Sequence, residues 1–229
     1  MNFSGLEKLS LVDYDEVVSA TVFTAGCNFR CGFCHNSPLV FKQNLPEITE
    51  EEVLSYLKKR SGIIEGGCIS GGEPTLEKGL LSFIEKLKTF NLKVKLDTNG
   101  TNPLVLEELI NKKLLDYVAM DIKNDKKNYA PIIGLNNFDT KAVEKSVEIL
   151  KRGAVDYEFR TTLIKEFHTE ENIIEIVKWI KGAKKYALQK YVYRDTCISQ
   201  PYTEVPLLQA EKFKSVLKPF VENVVLRGY

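Results

Sequence analysis

The chain has 229 residues, 44% of them hydrophobic, which is enough apolar material to fill one large core. Its formal net charge of +1 gives no general pull toward nucleic acid and excludes a basic-groove binder. The longest apolar runs are far too short to span a bilayer, and five cysteines with three in one loop do not make a disulfide framework.

Residues 1–10 lack the continuous apolar segment of a signal peptide, so a cytoplasmic protein with no membrane contact is expected. No internal repeat, low-complexity tract or Gly/Ser linker marks a boundary, and residues 1–229 read as one domain. Residues 1–16 read as a short lead-in. Residues 17–24 are an apolar, β-branched run, the first predicted strand.

That strand delivers Cys27, Cys31 and Cys34 in a C-x3-C-x2-C array. Thiolates this close can wrap one metal centre, and soft sulfur selects zinc, copper(I) or iron–sulfur. A closed structural site takes four protein ligands, so three leave one coordination position open. Zinc held by the three cysteines and His35 is disfavoured, because adjacent Cys34 and His35 could hardly both reach one tetrahedral ion. An iron–sulfur cluster with one open iron is the better reading.

Thr49, with Glu52 three residues on, forms a capping box for a helix over 50–60, which Gly62 ends. A strand over 63–70 runs into Gly71-Gly72-Glu73-Pro74, followed by a helix over 76–90. A strand over 92–98 ends at Asp97-Thr98-Asn99-Gly100, and Pro103 starts the next helix. A strand over 115–122 closes on Met120-Asp121-Ile122-Lys123. Residues 124–139 read as a long polar loop. A helix over 141–152 leads to a strand over 155–164, then a helix capped by Thr169 and a strand over 185–193. A last helix near 208–217 and a short strand near 221–226 finish the chain. Strands alternating with helices mean βαβ units and a parallel sheet. Six units are two short of a closed eight-fold barrel, so an α/β fold, an open, partial (β/α)6 TIM-like barrel, is expected.

Strand parity supports a site inside it. In the 155–164 strand, Glu158, Arg160 and Thr162 share one face while Tyr157, Phe159 and Thr161 share the other. Lys95 and Asp97 likewise oppose Val94 and Leu96. A parallel sheet buried on both faces should be almost continuously apolar. One polar parity predicts a wet or ligand-filled interior, against the plainer reading of an edge strand facing water. Cys27, Gly71, Asp97 and Asp121 all fall at or just beyond the C-terminal ends of successive strands, where parallel sheets assemble their sites.

With Phe33 just before the last cysteine, the array resembles the cluster loop of radical S-adenosylmethionine (SAM) enzymes. The resemblance implies that Cys27, Cys31 and Cys34 hold a single [4Fe–4S] cluster, whose open iron is chelated by the amino and carboxylate groups of SAM. Cys34-His35-Asn36 narrows the likeness to activating enzymes of glycyl-radical proteins, and Ser10-Leu11-Val12-Asp13-Tyr14 resembles the anaerobic ribonucleotide reductase activases. Gly71, Gly72 and Glu73 resemble the family's site for the SAM amino group. Asp97, Thr98 and Asp121 match the positions of a monovalent-cation site in the pyruvate formate-lyase activases, with Asn99 beside them as a cofactor contact. Lys123 and Arg160 are the candidates to hold the SAM carboxylate or ribose, and Phe33 is placed near the adenine, with His35 and Asn36 at the rim. Two plainer roles compete: Asp121 pairing with Lys123, and Arg160 pairing internally with Glu158 or Asp121.

The implied activity is reductive cleavage of SAM and removal of a hydrogen atom from a glycine of a partner enzyme. The implied partners are a glycyl-radical enzyme, of the anaerobic ribonucleotide reductase kind, and a flavodoxin- or ferredoxin-type electron donor. The competing enzyme reading is a small-molecule radical SAM reaction such as that of a 7-carboxy-7-deazaguanine synthase. An electron-transfer or zinc-binding module would need neither the 71–74 turn nor the Asp97–Asp121 group. Cys68 and Cys197 read as ordinary structural thiols, His168 as solvated, and Trp179 as core beside Ile173, Ile176 and Ile180.

Overall fold

Short β-branched runs alternating with amphipathic helices wind into an eight-stranded sheet in the computed structural model, which describes residues 1–199 and 201–229. The chain opens with β1 (Asn2–Phe3), β2 (Gly5–Ser10), β3 (Ser19–Thr24), α1 (Ser37–Phe41), β4 (Ile48–Thr49) and α2 (Glu50–Lys59). β5 (Gly66–Gly71), α3 (Leu80–Thr89), β6 (Lys93–Thr98), α4 (Pro103–Asn111) and β7 (Tyr117–Asp121) follow. Then come α5 (Tyr129–Ile132), α6 (Lys141–Lys151), β8 (Asp156–Leu163) and α7 (Glu170–Ile180). β9 (Lys185–Lys190), α8 (Leu207–Leu217) and β10 (Asn223–Arg227) complete the chain.

The strand order is β10-β9-β8-β7-β6-β5-β3-β2. It is parallel from β3 to β10, with β2 antiparallel at one edge. β2 and β10 do not pair, so the sheet stays open. This is the expected partial TIM-like barrel, with β10 extending the parallel set beyond the six predicted units. Parallel connections bring every strand's C-terminal end to one side of the sheet.

Local signals set the helix ends. Thr49 Oγ1 accepts the Glu52 N–H at 3.2 Å while Glu52 Oε2 accepts the Thr49 N–H at 2.7 Å, the capping box of α2. Asn172 plays Glu52's part for Thr169 at the start of α7. α7 buries Ile173, Ile176, Trp179 and Ile180, as its periodicity requires. α3 starts at Leu80 rather than near residue 76, because Pro74–Leu76 close a separate 3-10 turn capped by the Glu73 side chain.

Three expectations need correction. Residues 1–16 are more than a lead-in, since β2 pairs with β3 and the stretch beyond β2 closes the bottom of the barrel. There Tyr14 is buried against Tyr117, ring centroids 5.8 Å apart, and Thr21 Oγ1 donates to Asp13 Oδ2 at 2.6 Å. The Lys95 ammonium donates to the Asp13 carbonyl, and Lys185 pairs with Asp15 at 2.6 Å.

Residues 124–139 are not a plain solvated loop. They carry α5, whose Tyr129 is fully buried and stacks between Phe138 and Trp179 at 5.5 and 5.7 Å. Burying these rings outweighs the polar composition on either side.

His168 is buried rather than solvated. Its Nδ1 accepts the Ile164 N–H at 2.9 Å, so Nε2 carries the proton and donates to the Lys123 carbonyl at 2.9 Å. It thereby joins the chain just beyond β7 to the chain just beyond β8. Burial holds its pKa below the ordinary value, so the ring is neutral.

Candidate functional site

A cavity of about 590 Å³ opens at the C-terminal ends of the parallel strands. Cys27, Cys31 and Cys34 line it together with Gly71, Gly72, Glu73, Asp97, Thr98, Asn99, Asp121, Lys123, Arg160 and Phe33. Every predicted site residue therefore borders one space, as do His35 and Asn36 at the rim. Positions from 27 to 160 converge there because each lies toward the C-terminal end of a strand of the same parallel set or in the turn beyond it.

The cysteine loop is braced on several sides. The Gly72 N–H donates to the Thr24 carbonyl at 2.9 Å and the Glu73 N–H to the Gly26 carbonyl at 2.8 Å. Gly71 lies at φ +120°, and a Cβ on Gly72 would run into the Gly26 carbonyl. These glycines let one backbone close on another, a requirement separate from any approach to a ligand. From α5, the Ile133 carbonyl accepts the Arg30 N–H at 2.8 Å. From the segment after β9, the Ser199 N–H donates to the Gly32 carbonyl at 2.9 Å and Thr196 Oγ1 to the His35 carbonyl at 2.5 Å.

Glu73 does structural work inside this frame. Its buried carboxylate accepts from the Thr75 N–H at 3.1 Å, Thr75 Oγ1 at 2.6 Å, Thr98 Oγ1 at 2.7 Å and the Asn99 N–H at 2.6 Å. Burial raises its pKa despite those donors. Thr98 is thus turned toward Glu73, while Asp97 and Asp121 are joined through another partner.

That partner is Arg160, which the β7–β8 register sets directly beside Asp121. Its Nε donates to Asp121 Oδ1 at 2.8 Å and its Nη1 lies 3.3 Å from Asp97 Oδ1. Lys123 pairs with Asp121 at 2.9 Å and Lys95 with Asp97 at 3.2 Å. Burial works against the Asp121 anion, but Arg160 and Lys123 hold its pKa down to about 2. Asp97 is lowered in the same way, against burial, by Arg160 and Lys95. Both carboxylates are ionised, and Arg160 and Lys123 are charged. The two internal pairings of Asp121, with Lys123 and with Arg160, are both formed. Glu158 instead binds Arg227 at 3.0 Å. The polar parity of β8 is therefore interior and ion-paired, not an edge facing water.

The donor set fits the implied groups. The three thiols border one cavity, although among the described residues no three His, Cys, Asp or Glu side chains converge where a lone metal ion would sit. Burial pushes the Cys31 thiol up to about 12, so its thiolate needs a strong cationic partner. Asp97 Oδ1 is buried without a hydrogen bond, since its neighbouring cations lie within ion-pair reach but off hydrogen-bond geometry. An acceptor of this kind suits an ammonium, and Lys123 and Arg160 suit a carboxylate. The Lys123 ammonium also sits 5.7 Å from the centre of the Phe33 ring.

The cavity also holds Gln189 and Arg194, which the sequence reading did not single out, and Asn28 stands beside it in the cysteine loop. Asn28 accepts from Asn99 Nδ2 at 2.8 Å, tying the cysteine loop to the turn after β6. Gln189 lies near the end of β9, so the strand-end rule that found Asp97 and Asp121 could have found it.

A family model described as the radical SAM superfamily matches residues 21–185. A putative glycyl-radical enzyme activating enzyme of Methanocaldococcus jannaschii is 32% identical over 98% of this chain and 95% of its own. A pyruvate formate-lyase-activating enzyme of Clostridium pasteurianum is 32% identical over 81% of this chain and 80% of its own. A probable GTP 3′,8-cyclase of Pyrococcus horikoshii is also 32% identical, but over 55% of this chain and 41% of its own. Among solved structures, Streptococcus suis SuiB bound to S-adenosylmethionine superposes with a TM-score of 0.70 at 15% identity. That match covers 90% of this chain and 49% of SuiB, a likeness of fold alone.

Proposed function

The chain belongs to the radical SAM superfamily, and from that membership we propose that it is an activating enzyme that installs a glycyl radical on a partner protein. Its cofactors are a [4Fe–4S] cluster and S-adenosylmethionine. When bound, they supply one-electron cleavage of the sulfonium and the hydrogen-abstracting chemistry that follows.

The protein's part is to hold, orient and shield. Cys27, Cys31 and Cys34 would carry the cluster. Gly71, Gly72 and Asp97 would receive the SAM ammonium, and Lys123 and Arg160 its carboxylate, with Phe33 toward the adenine. Glu73, Thr98 and Asn99 fix the two turns that present these groups. A monovalent cation between Asp97 and Asp121 would have to displace Arg160, so Arg160 and Lys123 carry the positive charge there in this reading. All of residues 1–229 act as one cytoplasmic domain, served by a flavodoxin- or ferredoxin-type donor.

The observation that carries the proposal is the extent of the match. The likeness to the putative activating enzyme runs through 98% of this chain and 95% of that one, whereas the cyclase likeness stops at 55% and 41%. The test is electron paramagnetic resonance of the reduced protein with SAM and a partner of the anaerobic ribonucleotide reductase kind. A doublet whose splitting disappears when the partner's glycine Cα is deuterated is the expected result. Turnover of a purine-like small molecule in its place, with no such doublet, would favour the synthase-type reading.

A further inference from the structure

Glu158 precedes Arg160 by two residues on the same face of β8, one step nearer the barrel's lower end, and is 1% exposed. An ionised carboxylate so placed should draw the Arg160 guanidinium down, away from Asp97 and Asp121. It does not, because Arg227 takes both of its oxygens. Arg227 Nη1 donates to Glu158 Oε1 and Nη2 to Oε2, each at 3.0 Å. Such a two-pronged pair is the strongest that an arginine makes with a carboxylate. Burial works against the Glu158 anion, but Arg227 keeps its pKa below the ordinary value. Lys185 lies 3.3 Å from Glu158 Oε2, and it is shared with Asp15 at 2.6 Å. Burial also works against the Arg160 cation, while Asp121, Asp97 and Glu158, in that order, hold its pKa up. Three carboxylates therefore compete for one guanidinium.

Arg227 stands in β10, outside the residues 21–185 that the family model matches. We propose that it is a positioning residue for S-adenosylmethionine: by occupying Glu158 it leaves Arg160 on Asp97 and Asp121 at the cavity wall. The inference rests on the proposed function, in which Arg160 serves the cofactor's carboxylate. Without Arg227, the buried Glu158 keeps only a shared lysine, an arrangement costly enough to pull Arg160 across. Asp97 and Asp121 then lose the cation that joins them, and the cofactor's carboxylate meets less positive charge. The adenosine end of the cofactor is untouched by this exchange.

The test compares SAM with 5′-methylthioadenosine, which keeps the adenosine and lacks the amino-acid arm, by equilibrium binding to the oxidised, cluster-loaded protein. Arg227→Met should weaken SAM about tenfold, the size of one charge-assisted contact, and leave methylthioadenosine unchanged. Adding Glu158→Gln to Arg227→Met removes the competing anion and should restore SAM affinity. Arg227→Lys, with one prong instead of two, should fall between wild type and Arg227→Met, and it carries the comparison with the double variant if Arg227→Met does not fold. Asp15→Asn removes only the outer contact of Arg227, at 3.4 Å, and should change neither ligand. Equal loss of both ligands in Arg227→Met, unchanged SAM affinity, or a double variant as weak as Arg227→Met overturns the proposal. Nuclear magnetic resonance before any ligand is added separates this from the functional reading. The Arg160 Nε–H signal, assigned by its loss in Arg160→Lys, should shift in Arg227→Met and return in the double variant, and an unmoved signal also overturns the proposal. If the wild type binds no SAM, it is the functional reading that fails, and the Arg160 signal still decides what Arg227 does.

Discussion

The Glu73 carboxylate accepts the Asn99 backbone N–H at 2.6 Å, tying the turn after β5 to the turn after β6. The same carboxylate also takes the Thr98 hydroxyl and both Thr75 donors. Replacing Glu73 by Ala leaves these buried donors without an acceptor and should cost about 3 kcal/mol of stability. Glu73→Gln keeps one acceptor oxygen and should cost less. Denaturant unfolding of the two variants, side by side, checks the order.

Iron content tests the cluster ligands. Anaerobic reconstitution of Cys27→Ala, Cys31→Ala and Cys34→Ala should each lose the four-iron form. Cys68→Ala and Cys197→Ala should retain it: Cys68 is buried within β5, and Cys197 is spent on the Phe33 carbonyl at 3.6 Å. Near four irons per chain in Cys31→Ala would sink the assignment.

Asp97→Ala and Asp121→Ala act on the cofactor side of the cavity. Each should weaken SAM binding by about one to two decades, the size of a lost charge-assisted contact. Iron content should stay at the wild-type level. Equilibrium binding of SAM to the reconstituted variants decides the matter, and unchanged affinity in both removes these carboxylates from the site.

His168 gives a pH dependence of known sign. Its pKa is lowered by burial, so the unfolded chain binds the proton more readily than the folded one. The stability it contributes is fully present above the ordinary value of 6.5 and is lost as pH falls below it. His168→Phe should cost about 1–3 kcal/mol at pH 8, from the lost bonds to Ile164 and Lys123, and should flatten the decline between about pH 6.5 and 5. Thermal melts across that range would show an unaltered slope if His168 were charged or exposed in the fold.

What could be read from the sequence was whatever repeats locally or ends a strand. The capping box of α2, the Thr169 cap and apolar stripe of α7, and the polar parity of β8 are short-range patterns, and each survives in the fold. Cys27, Gly71, Asp97 and Asp121 were found because a parallel sheet gathers strand ends. What stayed hidden depends on partners far away in the chain. Asp15 gives no local sign that it will meet Lys185 and Arg227. His168 beside a helix cap looks solvated until the chain beyond β7 closes over it. Tyr129 sits in a polar stretch, and only Phe138 and Trp179 together explain its burial. The engagement of Arg160 with both Asp97 and Asp121 also needed the register of neighbouring strands.

Tyr14 packed on Tyr117 and the Lys95–Asp13 contact close the barrel's lower end, and Asp13 itself lines the cavity above. The floor of the site is thus laid by the first stretch of the chain, far in sequence from the residues at the strand ends, so a change near residue 14 can reshape the cavity without touching any group that borders its mouth.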